Sequence, residues 1–261
     1  MLDKFKFLLF FILILVLILI IYIIHHEKDM QSFYENSELQ LDFKGKKSVS
    51  DEKLAFMEKI IKASQYSNYK INKEREKLEK LNKVFMNTSS LSKFQKLTLK
   101  KLAFKYGIEV DLDDFDTRLL SELFDELSIR VMIVPVRLAL AQAILESAWG
   151  KSRFAEKGNA YFGIHCYTDG CGMKFGSGKS KVFVKDYPDL QSSVDDYMLF
   201  LNSKRGTKNF RFSRQVYFES KNLDIILLSK GLDTYSEIGG NYQKIIRDLI
   251  RNYIPNEIKN Y

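Results

Sequence analysis

VRLALAQAILESAWG, residues 136–150, is apolar on nearly every side: only Arg137, Gln142, Glu146 and Ser147 are polar. A surface helix shows one apolar stripe, whereas a helix apolar all round belongs at the centre of a fold. Pro135 opens the run at the position where a missing N–H costs nothing, and Gly150 is expected to end it. Gln142 and Glu146 are four apart and Trp149 follows three later, so helical spacing places all three on one side. A carboxyl group buried there is costly unless neutral or paired. Against the chain's single tryptophan it would be desolvated, and its pKa would rise to the range useful to a general acid in glycosidic cleavage. The plainer alternative is a helix-end glutamate that pairs with Arg153 and holds the next loop.

Upstream, helical periodicity begins at Asp51. Leu54, Met57, Ile60 and Ile61 share one face, and Ile71, Leu78, Leu81 and Phe85 repeat the spacing. The Asn-Thr-Ser-Ser stretch at 87–90 breaks this run. Further helices are predicted over about 91–106, ending at Gly107, and over about 116–127 after an acidic stretch (Asp111, Asp113, Asp114, Asp116) suited to a helix N-terminus. Downstream, residues 159–187 are rich in glycine and contain Lys181-Val182-Phe183-Val184, which reads as loops with a small β-hairpin. Helical patterns resume at 190–201, where Val194, Tyr197, Met198 and Leu201 share a face, then at about 213–220, 223–228 and 241–253.

At the other end, Phe7 to Ile24 is an unbroken apolar run. At 1.5 Å per residue, its eighteen residues span about 27 Å, close to a bilayer's hydrocarbon thickness. No small-x-small cleavage site follows and no lipid-accepting cysteine is present, so residues 1–26 read as an uncleaved signal anchor and 27–50 as a polar tether. Lys4 and Lys6 precede the span while Glu27, Lys28 and Asp29 nearly cancel after it, which puts the N-terminus inside and the remainder outside the cytoplasmic membrane. Net charge is +8. Almost all of it lies after the apolar run, so the extracytoplasmic part suits an anionic partner or simply has a solvated basic surface. No nucleic-acid motif accompanies the charge. Cys166 and Cys171 are the only cysteines; outside the cytoplasm so close a pair favours a disulfide over two thiols, and a metal site with His165 would be a poor tetrahedral set. No His/Asp/Glu cluster has ligand spacing, so no metal or other cofactor is expected.

The segment AQAILESAWGKSRFA followed by GNAYFGIHC resembles the glucosaminidase family of peptidoglycan hydrolases, in particular its Bax-like branch. The matched residues are Glu146, Ser147, Trp149, Gly150, Ser152, Arg153, Phe154, Ala155, Asn159, Phe162 and Gly163. The branch's Cys-x4-Cys is met by Cys166 and Cys171, and its Tyr-Ser-Glu-x-Gly-x-x-Tyr by Tyr235 to Gly239 with Tyr242. The region from Asp51 to Leu81, with Asn72, Glu74 and Arg75, resembles that branch's N-terminal helices. The resemblance implies a mainly α fold: a lysozyme-like domain with a small β-hairpin lobe over 131–255, a helical extension over 51–130, one transmembrane helix and a tail at 256–261. It further implies cleavage of the β-1,4 bond after N-acetylglucosamine in peptidoglycan. Glu146 would be the catalytic acid, Gln142, Trp149, Phe162, Tyr235 and Tyr242 would contribute to substrate binding, and Tyr235 and Tyr242 could equally be core residues. The chain departs from the pattern at Leu145 and at Ile164-His165, where relatives have a Gln-Trp pair. Some relatives carry a second acid on the β-lobe, for which Asp169 and Asp186 are the nearest candidates. A lytic transglycosylase and a non-catalytic wall-binding anchor are the rival readings.

Overall fold

The computed structural model describes residues 2–36, 39, 41–110, 116–174, 182–220, 225–232, 235 and 240–261. The chain divides into two compact units, Met1–Leu39 and Gln40–Tyr261. Asp111, Asp113, Asp114, Gly176, Gly178 and the stretch Ser236 to Gly239 lie outside the described residues.

The first unit is one helix, α1 (Leu2–Asn36), long and apolar enough to cross a membrane. It runs ten residues beyond the predicted end of the anchor. Glu27, Lys28 and Gln31 are good helix formers that extend an already nucleated helix, and Gln31 donates to Glu35 at 2.7 Å.

In the second unit α2 (Asp51–Thr88) forms the long spine. Its first half buries Phe56, Met57, Ile60 and Ile61. A polar stretch follows, also buried, because it holds other segments: Asn68 donates to the carbonyls of Val134 (2.7 Å) and Asn260 (2.9 Å) and accepts from the N–H of Val134. Beyond it come α3 (Lys93–Lys105), whose Ser92 and Gln95 form a reciprocal capping box, and α4 (Thr117–Arg130), capped by Asp116. Phe85 stacks on Phe124 at 5.4 Å to fasten the far end of α2 to α4. Next is α5 (Val136–Ser147), buried at every position except Arg137, Leu145 and Glu146. This is the predicted central helix, and it packs against α2.

The short α6 (Arg153–Gly158) leads into three strands, β1 (His165–Cys166), β2 (Gly172–Lys174) and β3 (Phe183–Lys185). They form an antiparallel sheet of order β1-β3-β2, with His165 opposite Val184 and Met173 opposite the same residue on the other edge. The expected hairpin is therefore a three-stranded sheet whose centre is the last strand. Cys166 and Cys171 are disulfide-bonded, closing the turn between the two edge strands. Then α7 (Leu190–Ser203) packs on α2 and turns its predicted face, Val194, Tyr197, Met198 and Leu201, inward. The chain finishes with α8 (Lys208–Glu219), α9 (Ile225–Leu228) and α10 (Gly240–Asn252). Tyr242, Ile246 and Ile250, spaced by four, are the buried face of α10, which packs against α5.

Two polar segments are more engaged than their composition indicates. Residues 41–50 have a tether's composition, but Lys47 donates its N–H to Asn252 (2.7 Å), and Asp42 accepts from Asn256. The last residues likewise dock: Gln65 donates to the carbonyl of Lys259, and the side chain of Asn260 accepts from Val136. Residues 51–130 and 131–255 share one compact unit.

Candidate active site

The end of α5 is made by an unusual backbone. Ala148, Trp149 and Gly150 lie in succession in the left-handed region, at φ 52, 62 and 79°, which costs energy at the two residues that are not glycine. The turn is held by Ser147: its hydroxyl donates to Ala143 (2.6 Å) and accepts from the N–H of Gly150 (2.8 Å). At Gly150 a Cβ would come within 2.8 Å of the Phe56 ring, so no larger residue fits. Ser152 then caps α6. The pattern Glu-Ser-x-Trp-Gly-x-Ser is thus a device that stops the buried helix one residue after Glu146.

That device also moves Trp149. It leaves the helix before reaching the expected side and packs edge-on to Phe56 (6.3 Å) and Tyr253 (5.9 Å), with the Lys53 ammonium over its ring at 4.6 Å. The i,i+3 spacing from Glu146 holds only for a continuous helix, and the helix ends at Ser147. Arg153, the partner in the plainer reading of Glu146, instead donates to the carbonyl of Lys174 at 2.9 Å and covers Phe154.

Glu146 meets a chain of hydrogen bonds from three helices. Tyr197 of α7 donates to Gln142 Oε1 (2.6 Å), Gln142 Nε2 donates to the Tyr242 hydroxyl of α10 (2.7 Å), and Tyr242 donates to the Glu146 carboxylate. Gln142 has no exposed surface, and Phe162 and Tyr242 are also buried. These three, expected to touch substrate, instead hold Glu146 from behind. Phe162 stacks on Tyr197 with ring centroids 3.9 Å apart, and Tyr235, half-buried, donates to the Phe162 carbonyl at 2.9 Å. The neighbouring Gly163 adopts φ +63°, and a Cβ there would be 3.5 Å from Glu146 Oε2. Asn159 ends α6 in the left-handed region and ties the segment to the Tyr187 carbonyl (3.0 Å). In Asn-x-Phe-Gly, then, Asn159 anchors the turn, Phe162 stacks behind the relay, and Gly163 passes beside the acid.

Burial pushes the Glu146 carboxyl up from 4.5 to about 7, and the Tyr242 hydrogen bond, which favours the anion, only partly opposes it. Desolvation also holds Tyr197, Tyr235 and Tyr242 well above the usual phenol value, so all three stay neutral donors. The result is one partly exposed carboxyl group, protonated in about half the molecules at neutral pH, backed by neutral hydroxyls.

Asp169 and Asp186 are exposed. Sequence reasoning missed Asp196 on α7, which accepts from Lys185 Nζ (2.9 Å) and from the Tyr187 hydroxyl (2.7 Å). The period-3.6 pattern of α7 marked its apolar face and gave no reason to single out the aspartate beside it.

The family model for mannosyl-glycoprotein endo-β-N-acetylglucosaminidase, the glucosaminidase family, matches residues 121–254, half of the chain, from within α4 to the end of α10. The chain belongs to the glucosaminidase family. It is Bax-like: over 118 residues it is 29% identical to protein bax of Escherichia coli (strain K12), covering 45% of this chain and 42% of that protein. It therefore spans less than half the length of that curated relative. No solved structure matches the chain. The glucosaminidase match encloses Glu146 and every member of its relay, and it begins well after α2, although α2 supplies much of the packing behind α5.

Proposed function

We propose that this glucosaminidase-family chain is an endo-β-N-acetylglucosaminidase of peptidoglycan, with Glu146 as general acid. The observation that carries the reading is a carboxyl group at the end of a buried helix, raised to about 7 and oriented by Tyr242. A group so placed is protonated in a large share of molecules at neutral pH and ready to give its proton to a glycosidic oxygen. Wall glycan is preferred to a glycoprotein glycan because the chain is basic, suited to an anionic polymer, and carries an apolar helix able to anchor it. In this reading α1 spans the cytoplasmic membrane with its N-terminus inside and the folded unit on the outer, periplasmic side.

The nucleophile of the first step is the substrate's own acetamido group. As Glu146 protonates the leaving oxygen, the C1–O bond breaks and the acetamido oxygen attacks C1, giving an oxazolinium ion. Water then adds at C1 and gives a proton to the Glu146 carboxylate, which restores the acid, the oxazolinium ring opens and the anomeric configuration is retained. Tyr235, half-buried beside the relay, is the tyrosine available to the sugar; Gln142, Phe162 and Tyr242 act through Glu146.

Mass spectrometry of digested sacculi tests the proposal, with a high-mannose glycoprotein as the competing substrate. Reducing N-acetylglucosamine ends, absent with Glu146→Gln, are expected. Terminal 1,6-anhydro-muramic acid would make it a lytic transglycosylase, and cleavage of the glycoprotein alone would move the substrate away from the wall. Unchanged turnover in the Gln variant would remove the acid from its role. Product NMR showing inversion at C1 would exclude acetamido participation.

A further inference from the structure

Helix α3 is apolar on two faces, and the fold covers only one of them. Leu99 and Ala103 are buried, whereas Phe94 is 78% exposed, Phe104 73% and Leu97 48%. These three lie three and seven residues apart, so they form one stripe along the helix. Met86, near the end of α2, is 70% exposed as well. Leu97, Phe104, Ile108 and Val110 line an open groove of about 350 Å³ rimmed by Lys100, Lys101 and Glu109. Large exposed apolar side chains in a contiguous patch mark a contact surface.

The charge pattern selects what makes contact. Over thirteen residues α3 carries five lysines (93, 96, 100, 101 and 105) and no acid. Lys105 is paired with Glu74 at 2.5 Å, while Lys93 and Lys101 are exposed beside the stripe. Phenylalanine and leucine outward with flanking lysines is the composition of a helix that lies in a membrane interface, its apolar side chains below the headgroups and its ammonium groups among the phosphates. We propose that α3 docks on the surface of an anionic phospholipid bilayer. A second copy of the chain fits the charge less well, because pairing this face with itself would bring ten lysines together. The chain also supplies its own route to lipid. Helix α1 is apolar enough to enter a bilayer and is separated from α2 by fourteen residues, so a membrane that holds α1 is present at high effective concentration for the folded unit.

The test uses the full chain with Phe94→Cys carrying an environment-sensitive nitrobenzoxadiazole label. Cys166 and Cys171 are bonded to each other, so the new thiol is the one that reacts. In vesicles of phosphatidylcholine with phosphatidylglycerol, the emission should shift to the blue and be quenched by spin labels placed just below the headgroups. A label at Lys157→Cys on α6 should stay in water. Pure phosphatidylcholine, or Lys93→Glu with Lys101→Glu, should lower the docked fraction by about tenfold or more. A water-exposed label at 94 in anionic vesicles overturns the proposal. So does a shielded label that lipid-borne quenchers cannot reach: if shielding rises with protein-to-lipid ratio, a second copy covers α3, and otherwise the chain itself does. Carbonate-resistant co-flotation scores α1 separately. If α1 does not insert, the membrane reading of α1 fails, and the label still reports whether α3 binds the added vesicles.

Discussion

Replacing Glu146 with glutamine should make the protein more stable and less active, and the gain in stability should depend on pH. The folded state holds this carboxyl group at a pKa of about 7 against an ordinary 4.5. Between those values the folded chain keeps a proton that the unfolded chain has released, so stability falls as pH rises through that window. Below pH 4.5 both states are protonated and nothing is lost. Above pH 7 the folded state carries a partly buried anion, at a cost of about 3 kcal/mol for the full shift at 1.36 kcal/mol per pH unit. Glutamine keeps an oxygen that can accept from Tyr242 and has no charge to desolvate. For a unit of this size, roughly 2–4 °C per kcal/mol translates the gain into a melting temperature about 6–12 °C higher at about pH 8, and no difference near pH 4. Paired thermal melts across that range measure it, beside turnover of purified sacculi, which should fall by about 10²-fold or more with the acid gone. A melting difference that is the same at both ends of the pH range, or a variant less stable at pH 8, would refute the claim that desolvation sets the state of Glu146.

Three further outcomes follow from the geometry. Tyr242→Phe removes the one bond that favours the Glu146 anion, so the basic limb of the pH–activity profile should move to higher pH; it also leaves Gln142 Nε2 buried without an acceptor, which should cost about 1–3 kcal/mol in denaturant titrations. A basic limb that moved downward would contradict the direction of the bond. Reducing the Cys166–Cys171 disulfide opens a loop with a sequence separation of 5, and loop-closure entropy sets its contribution near about 2 kcal/mol, seen as a lower melting temperature in reductant that Cys→Ser at both positions reproduces. Arg214 is fully buried and donates to the carbonyls of Ile129 (2.8 Å) and Met132 (3.1 Å) and to the Asn202 side chain. Arg214→Met fills the space but leaves those acceptors dry, so chemical denaturation should show a loss of about 3–5 kcal/mol; a neutral result would mean that water replaces the guanidinium.

What could be read from the sequence was whatever a local pattern controls. An all-round apolar run can only be buried, so α5 and its central place were legible, as was the inward face of α7. The end of α5 was misplaced because Ala148 and Trp149 adopt the left-handed conformation, which L-residues avoid and no residue type there advertises. That error carried Trp149 onto the wrong side, against Phe56 and Tyr253, whereas the packing of α2 and α10 on α5 and the turn at Gly163 enclose Glu146. A strand as short as β3 is set by its two neighbours rather than by its own alternation, which is why a hairpin was expected where a sheet formed. Residues 41–50 have the composition of a tether and are held by backbone bonds to the far end of the chain, which composition does not encode.

Gln142 and Tyr242 were named from the sequence as contacts to substrate, but their wiring into a relay with Tyr197 was illegible, because its members are 55 and 100 residues apart in sequence. Tyr197 reads as one more residue on an apolar face and Gln142 as a polar interruption in a buried helix. Their meaning lies in the direction of the bonds. A glutamine amide has one end that accepts and one that donates. With Oε1 toward Tyr197, Nε2 must face Tyr242, whose own proton is then left for Glu146. Turned the other way, the amide would take that proton, and the carboxylate would lose the one hydrogen bond that opposes its desolvation. Because none of the three tyrosines ionises near neutral pH, Glu146 is the only member of the set whose charge can change there. The neutral amide therefore does more than fill the core behind the acid: it fixes which way the hydroxyl points, and with it the pH at which the site can give up a proton.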